Sequence, residues 1–252
     1  MSDATELIEV LFRRHRILRT LTETPRKRYE LVDESTDSKS TVYKGVSQLL
    51  EADLIEQTNE GLRPTLFGSV ALSRYEELAR TADFGPLIDD LSPDTIDPVV
   101  FVGAELITPD ADSVGQHLDY AQHLLETANT VRGVVPAATS ENISLIKERA
   151  SGGQLTAEFV VSTELADILR REQTAALESL LDEEVTLWEC ESGIPFGFFT
   201  ICEGDMKKMG IEFRDGNLVT GLLLNDTVES VNWAKDQFNQ YRAHAEHIPV
   251  PD

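Results

Sequence analysis

The chain has 252 residues, 41% hydrophobic and 7% aromatic, which is enough for two domains with real cores and excludes a disordered polymer. No run of about 18 apolar residues occurs, so no bilayer-spanning helix is expected. The net charge of -23 is uneven: residues 1–80 hold 12 Lys+Arg against 14 Asp+Glu, a net of -2, and residues 81–252 carry the other -21.

The first segment, Met1–Arg14, contains Asp3, Glu6 and Glu9 and lacks the basic-then-apolar order of a signal peptide. Residues 5–22 predict a helix, because Leu7, Val10, Leu11, Ile17, Leu18 and Leu21 recur at three and four. Pro25 and the basic Arg26-Lys27-Arg28 interrupt it. A short second helix follows, with Tyr29, Leu31 and Val32 as its apolar side. After a polar turn, Ser38 or Ser40 can cap a third helix reaching Ala52, with Val42, Val46, Leu49 and Leu50 inward. Leu54 to Gln57 alternate like a strand, Asn59-Glu60-Gly61 makes a hairpin turn, and Leu62 to Thr65 return. A fourth helix, about Leu66 to Thr81, carries Val70, Leu72, Tyr75 and Leu78. Three helices, a hairpin and a helix is the order of a winged helix-turn-helix.

Residues 83–97 read as a linker with one short helix around Leu87, Ile88 and Leu91, then a stiff joint at Ser92-Pro93-Asp94 and Asp97-Pro98. Beyond it, residues 98–252 predict a mixed α/β domain. Strands are expected at Val99–Val102, Val131–Val135, Leu155–Val161, Val185–Cys190, Phe196–Cys202, Lys208–Phe213 and Leu218–Leu224. Helices are expected at Ala111–Ala128, Ser140–Ala150, Glu164–Gln173, Ala175–Leu181 and Thr227–Ala245.

Two stretches resemble known families. Ser38, Ser40-Thr41-Val42, Leu49-Leu50, Leu54-Ile55 and Leu66-Phe67-Gly68 follow in the order found in the winged-helix module of archaeal regulators. The runs YAQHLLETANTVRGVVP, GGQLTAEFVVSTELADIL, ESGIPFGFFTI and DTVESVNWAKDQFNQYRAHAEHI resemble the effector-type domain of archaeal regulators named after methanogenesis regulatory proteins, which has a phospholipase D-related fold. The resemblance implies a sequence-specific DNA-binding transcriptional regulator with an effector-responsive second domain and double-stranded DNA as its partner. A homodimer is expected, because a palindromic site doubles the few contacts one winged helix can make. Carboxylates in excess, with arginine favoured over lysine, resemble proteins of salt-accumulating halophiles, whose acidic surfaces keep them soluble.

The basic segment Arg13 to Lys44 supplies the candidate DNA face. The leading end of a recognition helix reads base edges, which selects Ser38, Lys39, Ser40, Thr41, Tyr43 and Lys44. Arg26, Lys27 and Arg28 would hold phosphates, and Arg63 on the wing would enter the minor groove. An effector pocket at the carboxyl ends of the strands would recruit Pro136, Thr139, Ser162, Thr163, Pro195, Phe196 and Gly197. The competing reading is a protein-interaction scaffold that uses the winged helix as a docking module.

Catalysis is not expected. A phospholipase D-type site needs His-x-Lys, and none of His15, His117, His123, His244 or His247 is followed by it. Neither a Gly-rich phosphate loop nor Gly-x-Ser-x-Gly occurs. His117 and His123, six apart on one helix, do not share a face, so neither a metal nor a cofactor is expected. Cys190 and Cys202 fit no zinc spacing and read as small buried hydrophobes of a cytoplasmic protein.

Overall fold

A computed structural model describes residues 3–88, 91, 95–108, 116–172, 174–181, 184–215 and 218–249. The chain divides into two compact units, Met1–Asp83 and Phe84–Asp252.

The first unit contains α1 (Ala4–Glu23), α2 (Arg28–Asp33), α3 (Lys39–Glu51), the hairpin β1 (Ile55–Gln57) and β2 (Leu62–Pro64), and most of α4 (Leu66–Ile88). Its core is one cluster, in which Leu18, Leu21, Val42, Val46, Leu49, Leu54 and Leu62 are buried. Two glycines permit close approach. A Cβ on Gly45 of α3 would meet the Ile17 side chain of α1 at 2.7 Å. One on Gly68 would lie 1.8 Å from the Leu54 carbonyl oxygen. Thr65 ties the same corner: its hydroxyl donates to the Asp53 carbonyl (2.7 Å) and accepts from the Gly68 N–H (2.9 Å). The apolar sides are narrower than the periodicity predicts, since Tyr29, Val70 and Leu78 are exposed.

The second unit is a three-layer α/β structure, so the α/β fold class read from the sequence is what the chain adopts. Its strands are β3 (Glu105–Ile107), β4 (Thr130–Val135), β5 (Thr156–Ser162), β6 (Val185–Cys190), β7 (Gly197–Glu203), β8 (Met206–Asp215), β9 (Leu218–Asn225) and β10 (Glu246–His247). They form one sheet in the order β10-β6-β5-β4-β7-β8-β9-β3, with β4, β5 and β6 parallel and the other pairings antiparallel. Helices α5 (Gln116–Thr127), α6 (Ser140–Ser151), α7 (Thr163–Glu172) and α8 (Thr174–Leu181) cover one face, and α9 (Val228–Ala243) packs on the other. The period of two sorts the side chains between faces. Val131, Phe159, Val161, Ile201, Leu222 and Leu224 face α5–α8, whereas Val134, Val160, Phe198, Ile211 and Leu223 face α9.

Three expectations are corrected. Val99–Val102 is not a strand: Pro98–Phe101 is a 3-10 turn capped by Asp97, whose side chain accepts from the Val99 N–H. Its carbonyls are satisfied by buried Asn225, which donates to Val100 (2.9 Å) and Val102 (2.8 Å). The fourth helix does not end near Thr81. It runs on to Ile88, and Phe84 and Ile96 are buried in the α9-side core with Leu87 and Ile88 against it. Ser92-Pro93-Asp94 and the expected helix start at Ala111 lie outside the described residues. Cys190 is buried, but Cys202 is only half-buried.

Gly68→Ala pushes a methyl into backbone that cannot yield. It is expected to destabilise the chain by about 1–3 kcal/mol. Gly85→Ala in the same helix meets nothing within 4 Å and is expected to be neutral or stabilising. Urea unfolding followed by circular dichroism measures both.

Candidate nucleic-acid interface

Ser38 is the N-cap of α3, and its hydroxyl accepts from the Thr41 N–H. The same oxygen lies 2.9 Å from both the Ser40 and the Thr41 hydroxyls. This cap fixes where the helix begins, and the buried Val42, Gly45, Val46 and Leu49 fix its rotation. The opposite side therefore carries Lys39, Ser40, Tyr43 and Lys44. Lys39, Ser40 and Lys44 are exposed, while Thr41 and Tyr43 are half-buried. The Lys39 ammonium sits 5.5 Å from the centre of the Tyr43 ring, which holds the two as one surface. No acidic residue occupies the first turn, so the positive end of the helix dipole is unopposed within the helix.

The basic residues divide by partner. Among the described residues, Lys27, Arg28, Lys39 and Lys44 form no ion pair, and all four are exposed. Arg26 and Arg63 do not share that state. Arg26 pairs with Glu34 at 2.9 Å, its side chain 29% exposed, and its backbone forms a bridge to Leu62. Its charge is thus already met, and it joins the start of α2 to the hairpin. Arg63 faces Glu56 across the hairpin and pairs with it at 2.7 Å. That pair is exposed on both sides and is worth little in stability, but it puts a carboxylate on the one wing cation. Tyr29, read as part of the apolar side of α2, is instead 55% exposed beside Arg28.

Most of the residues read from the strand ends as an effector pocket have partners within the second unit. Ser162 donates to the Pro136 carbonyl (3.0 Å) and accepts from the Leu165 N–H (3.1 Å). Thr139 caps α6, and Thr163 bonds the Cys190 carbonyl. Pro195 is exposed, and Phe196 belongs to the α9-side core with Phe198. Gly197 pairs with Glu212, and a Cβ on it would meet Pro136 at 3.2 Å. The three hydroxyls are thus engaged by backbone groups, and the cavity of about 110 Å³ that opens beneath α5–α8 is lined by neighbours of these residues, Val135, Ala137, Ala138 and Val161 among them, rather than by the seven themselves. Two groups have shifted titration. Hydrogen bonding to Glu189 holds the Arg170 guanidinium above its ordinary value against the opposing effect of burial, and burial pushes the Tyr241 phenol up. Neither belongs to the basic surface. Among the described residues no cluster of His, Cys, Asp and Glu could hold a metal ion, and no helix is long and apolar enough to cross a membrane.

An N-terminal helical unit with a two-stranded wing, followed by a mixed-sheet domain, is the class this geometry defines. Residues 117–244 match the middle domain of the methanogenesis regulatory protein FilR1, and the chain belongs to that family. Residues 2–84 match the HVO_A0261 N-terminal domain. No curated protein matches. Among solved structures, the archaeal chromatin protein TrmBL2, which has a novel mode of DNA binding, is 14% identical with a TM-score of 0.43, covering 98% of this chain and 100% of its own. The phospholipase D family member Nuc from Salmonella typhimurium is 8% identical at 0.44, covering 58% of this chain and 97% of its own. NucT from Helicobacter pylori is 15% identical at 0.44, covering 57% and 98%. Scores this low do not establish a shared fold.

Ser38→Ala removes the cap and is expected to cost α3 about 1 kcal/mol. Amide exchange at Thr41 and Val42 should then quicken roughly fivefold, read by mass spectrometry on the whole chain.

Proposed function

We propose that this protein is an archaeal transcriptional regulator. In this reading the first unit is a winged helix-turn-helix that lays α3 in the major groove, and the second unit is a non-catalytic sensor that responds to a small effector. The observation that carries it is the outward face of α3, where Lys39 and Lys44 stand exposed without a carboxylate partner in a chain of net charge -23. An acidic protein conserves no attraction for phosphate unless cations are left uncompensated at one place. Lys27 and Arg28 extend that place toward α2. The family's regulatory name agrees with it. Its setting is a cytoplasm, and the acidic excess fits one rich in salt. The sensor role fits the lack of His-x-Lys in the sequence, and the protein needs no cofactor.

The protein works as a homodimer. In the first unit α1 exposes Ile8 (59%) and Phe12 (68%) one turn apart, and α4 exposes Phe67 (50%), Val70 (53%) and Leu78 (66%) along one stripe. Apolar stripes of this kind favour burial against a second copy.

Two measurements test these statements. DNA affinity measured by fluorescence anisotropy across a salt series should fall in Lys39→Ala/Lys44→Ala, and the slope of log K against log salt should drop by about 2. Arg63→Ala should matter less, and Glu56→Gln should strengthen binding by releasing Arg63. A double variant that binds as wild type overturns the assignment of α3. Light scattering should give twice the 28.0 kDa of one chain, and Phe12→Glu/Val70→Glu should return it to a single chain.

A further inference from the structure

We infer that the cavity beneath α5–α8 is a binding site for a small uncharged molecule with an apolar, ring-sized body and one polar end. The inference deepens the effector reading and rests on it for its biological meaning. Protein interiors are close-packed, and voids larger than a water are few. Here about 110 Å³ is open within the core, walled by Val131, Val161, Leu169, Phe199 and Ile201. That is somewhat less than the roughly 150 Å³ of an apolar cavity that stays dry and takes up benzene.

The walls are apolar except at one end. There Glu212, Arg214 and Asn142 contribute to the lining. Arg214 donates from Nε (3.2 Å) and Nη2 (2.8 Å) to the same oxygen of Glu212, and Nη2 also reaches the Ala137 carbonyl (3.4 Å). The side chains are only 13% and 19% exposed. Both guanidinium bonds fall on Glu212 Oε2. Arg214 Nη1 and Glu212 Oε1 engage no other protein group among the described residues, so one donor and one acceptor remain beside an apolar chamber. Asn142 adds a side-chain amide.

Charge decides the ligand class. Arg214 and Glu212 cancel, and no other ionisable side chain lines the cavity. A carboxylate or an ammonium entering it would lose its hydration, and the Arg214 or Glu212 charge it would meet is already offset by the other member of the pair. Residues 81–252, at net -21, repel anions at longer range as well. An uncharged hydroxyl or amide can instead donate to Glu212 and accept from Arg214 while its body replaces the void.

The test uses the full chain without DNA. Benzyl alcohol and benzamide are compared with benzoate and benzylamine by thermal unfolding and by methyl NMR. The expected result is saturable stabilisation by the neutral pair at concentrations at least tenfold below those of the charged pair, with shifts confined to methyl groups lining the cavity. Ala138→Phe and Ala121→Leu each fill the space from a different side, and either should abolish binding. Should a filled variant fail to fold, the other filled variant and the wild-type ranking decide. Benzoate acting as well as benzyl alcohol, shifts spread over the surface, or a folded filled variant that still binds overturns the inference. DNA is absent, so a chain that binds DNA but none of these probes loses this inference alone. One that binds benzyl alcohol but no DNA loses the regulator reading alone.

Discussion

The inward side of α3 sets what the first unit can present. Val42, Val46 and Leu49 have no exposed surface, and burying each contributes about 1.5–3 kcal/mol relative to exposure. With Gly45 against Ile17, that face cannot rotate without opening a gap against α1. Everything on the opposite side follows from this seating. Lys39, Ser40, Tyr43 and Lys44 point outward because Val42 and Val46 point inward, and Ser38 fixes the first residue of the row. The backbone of such a surface is set by packing, so the ordering left to oppose binding is mainly that of the exposed side chains.

Element order was legible in the sequence because the signals were local. Ser38, one of the two hydroxyls read as able to cap, is the N-cap of α3, and Thr227, read as the first residue of the last helix, is the N-cap of α9. The apolar runs Val131–Val135 and Leu218–Leu224 marked strands. What failed depended on distant partners. Val99–Val102 has strand-forming residues, yet Asn225, more than a hundred positions away, takes the carbonyls a strand would have offered to a neighbour. The two-residue strand β10 and the three-residue β3 were invisible for the opposite reason: each exists only by pairing at a sheet edge, with β6 and β9 respectively.

The candidate site was legible in the same graded way. The cations of α3 could be assigned from a cap and a periodic core. Arg26 and Arg63 could not, because a formula of charge along the chain does not say which carboxylate folds beside which cation. Glu56 was recoverable in principle, since the Asn59–Gly61 turn sets Arg63 opposite it. Glu34 was not, since it reaches Arg26 from the far end of α2. At the strand ends the small hydroxyl residues serve the backbone: Ser162 and Thr139 satisfy orphan groups at helix starts. Electrostatic networks in the second unit are likewise internal. Glu158 draws Arg132 (3.3 Å), Arg242 (3.5 Å) and the Trp188 N–H (3.2 Å) together across β4, β5, β6 and α9.

The bridge between Arg26 and Leu62 has a mechanical consequence. Two backbone bonds, Arg26 N–H to the Leu62 carbonyl (3.0 Å) and Leu62 N–H to the Arg26 carbonyl (2.7 Å), rivet the hairpin to the chain entering α2. Gly61, at φ +140°, lies so close to Arg26 that a side chain there would prise the joint apart. The hairpin is therefore a lever welded to α2 rather than a swinging arm. Leu31 shares one core with Val42, Val46 and Leu49, which ties the hairpin, α2 and α3 into a single packed body.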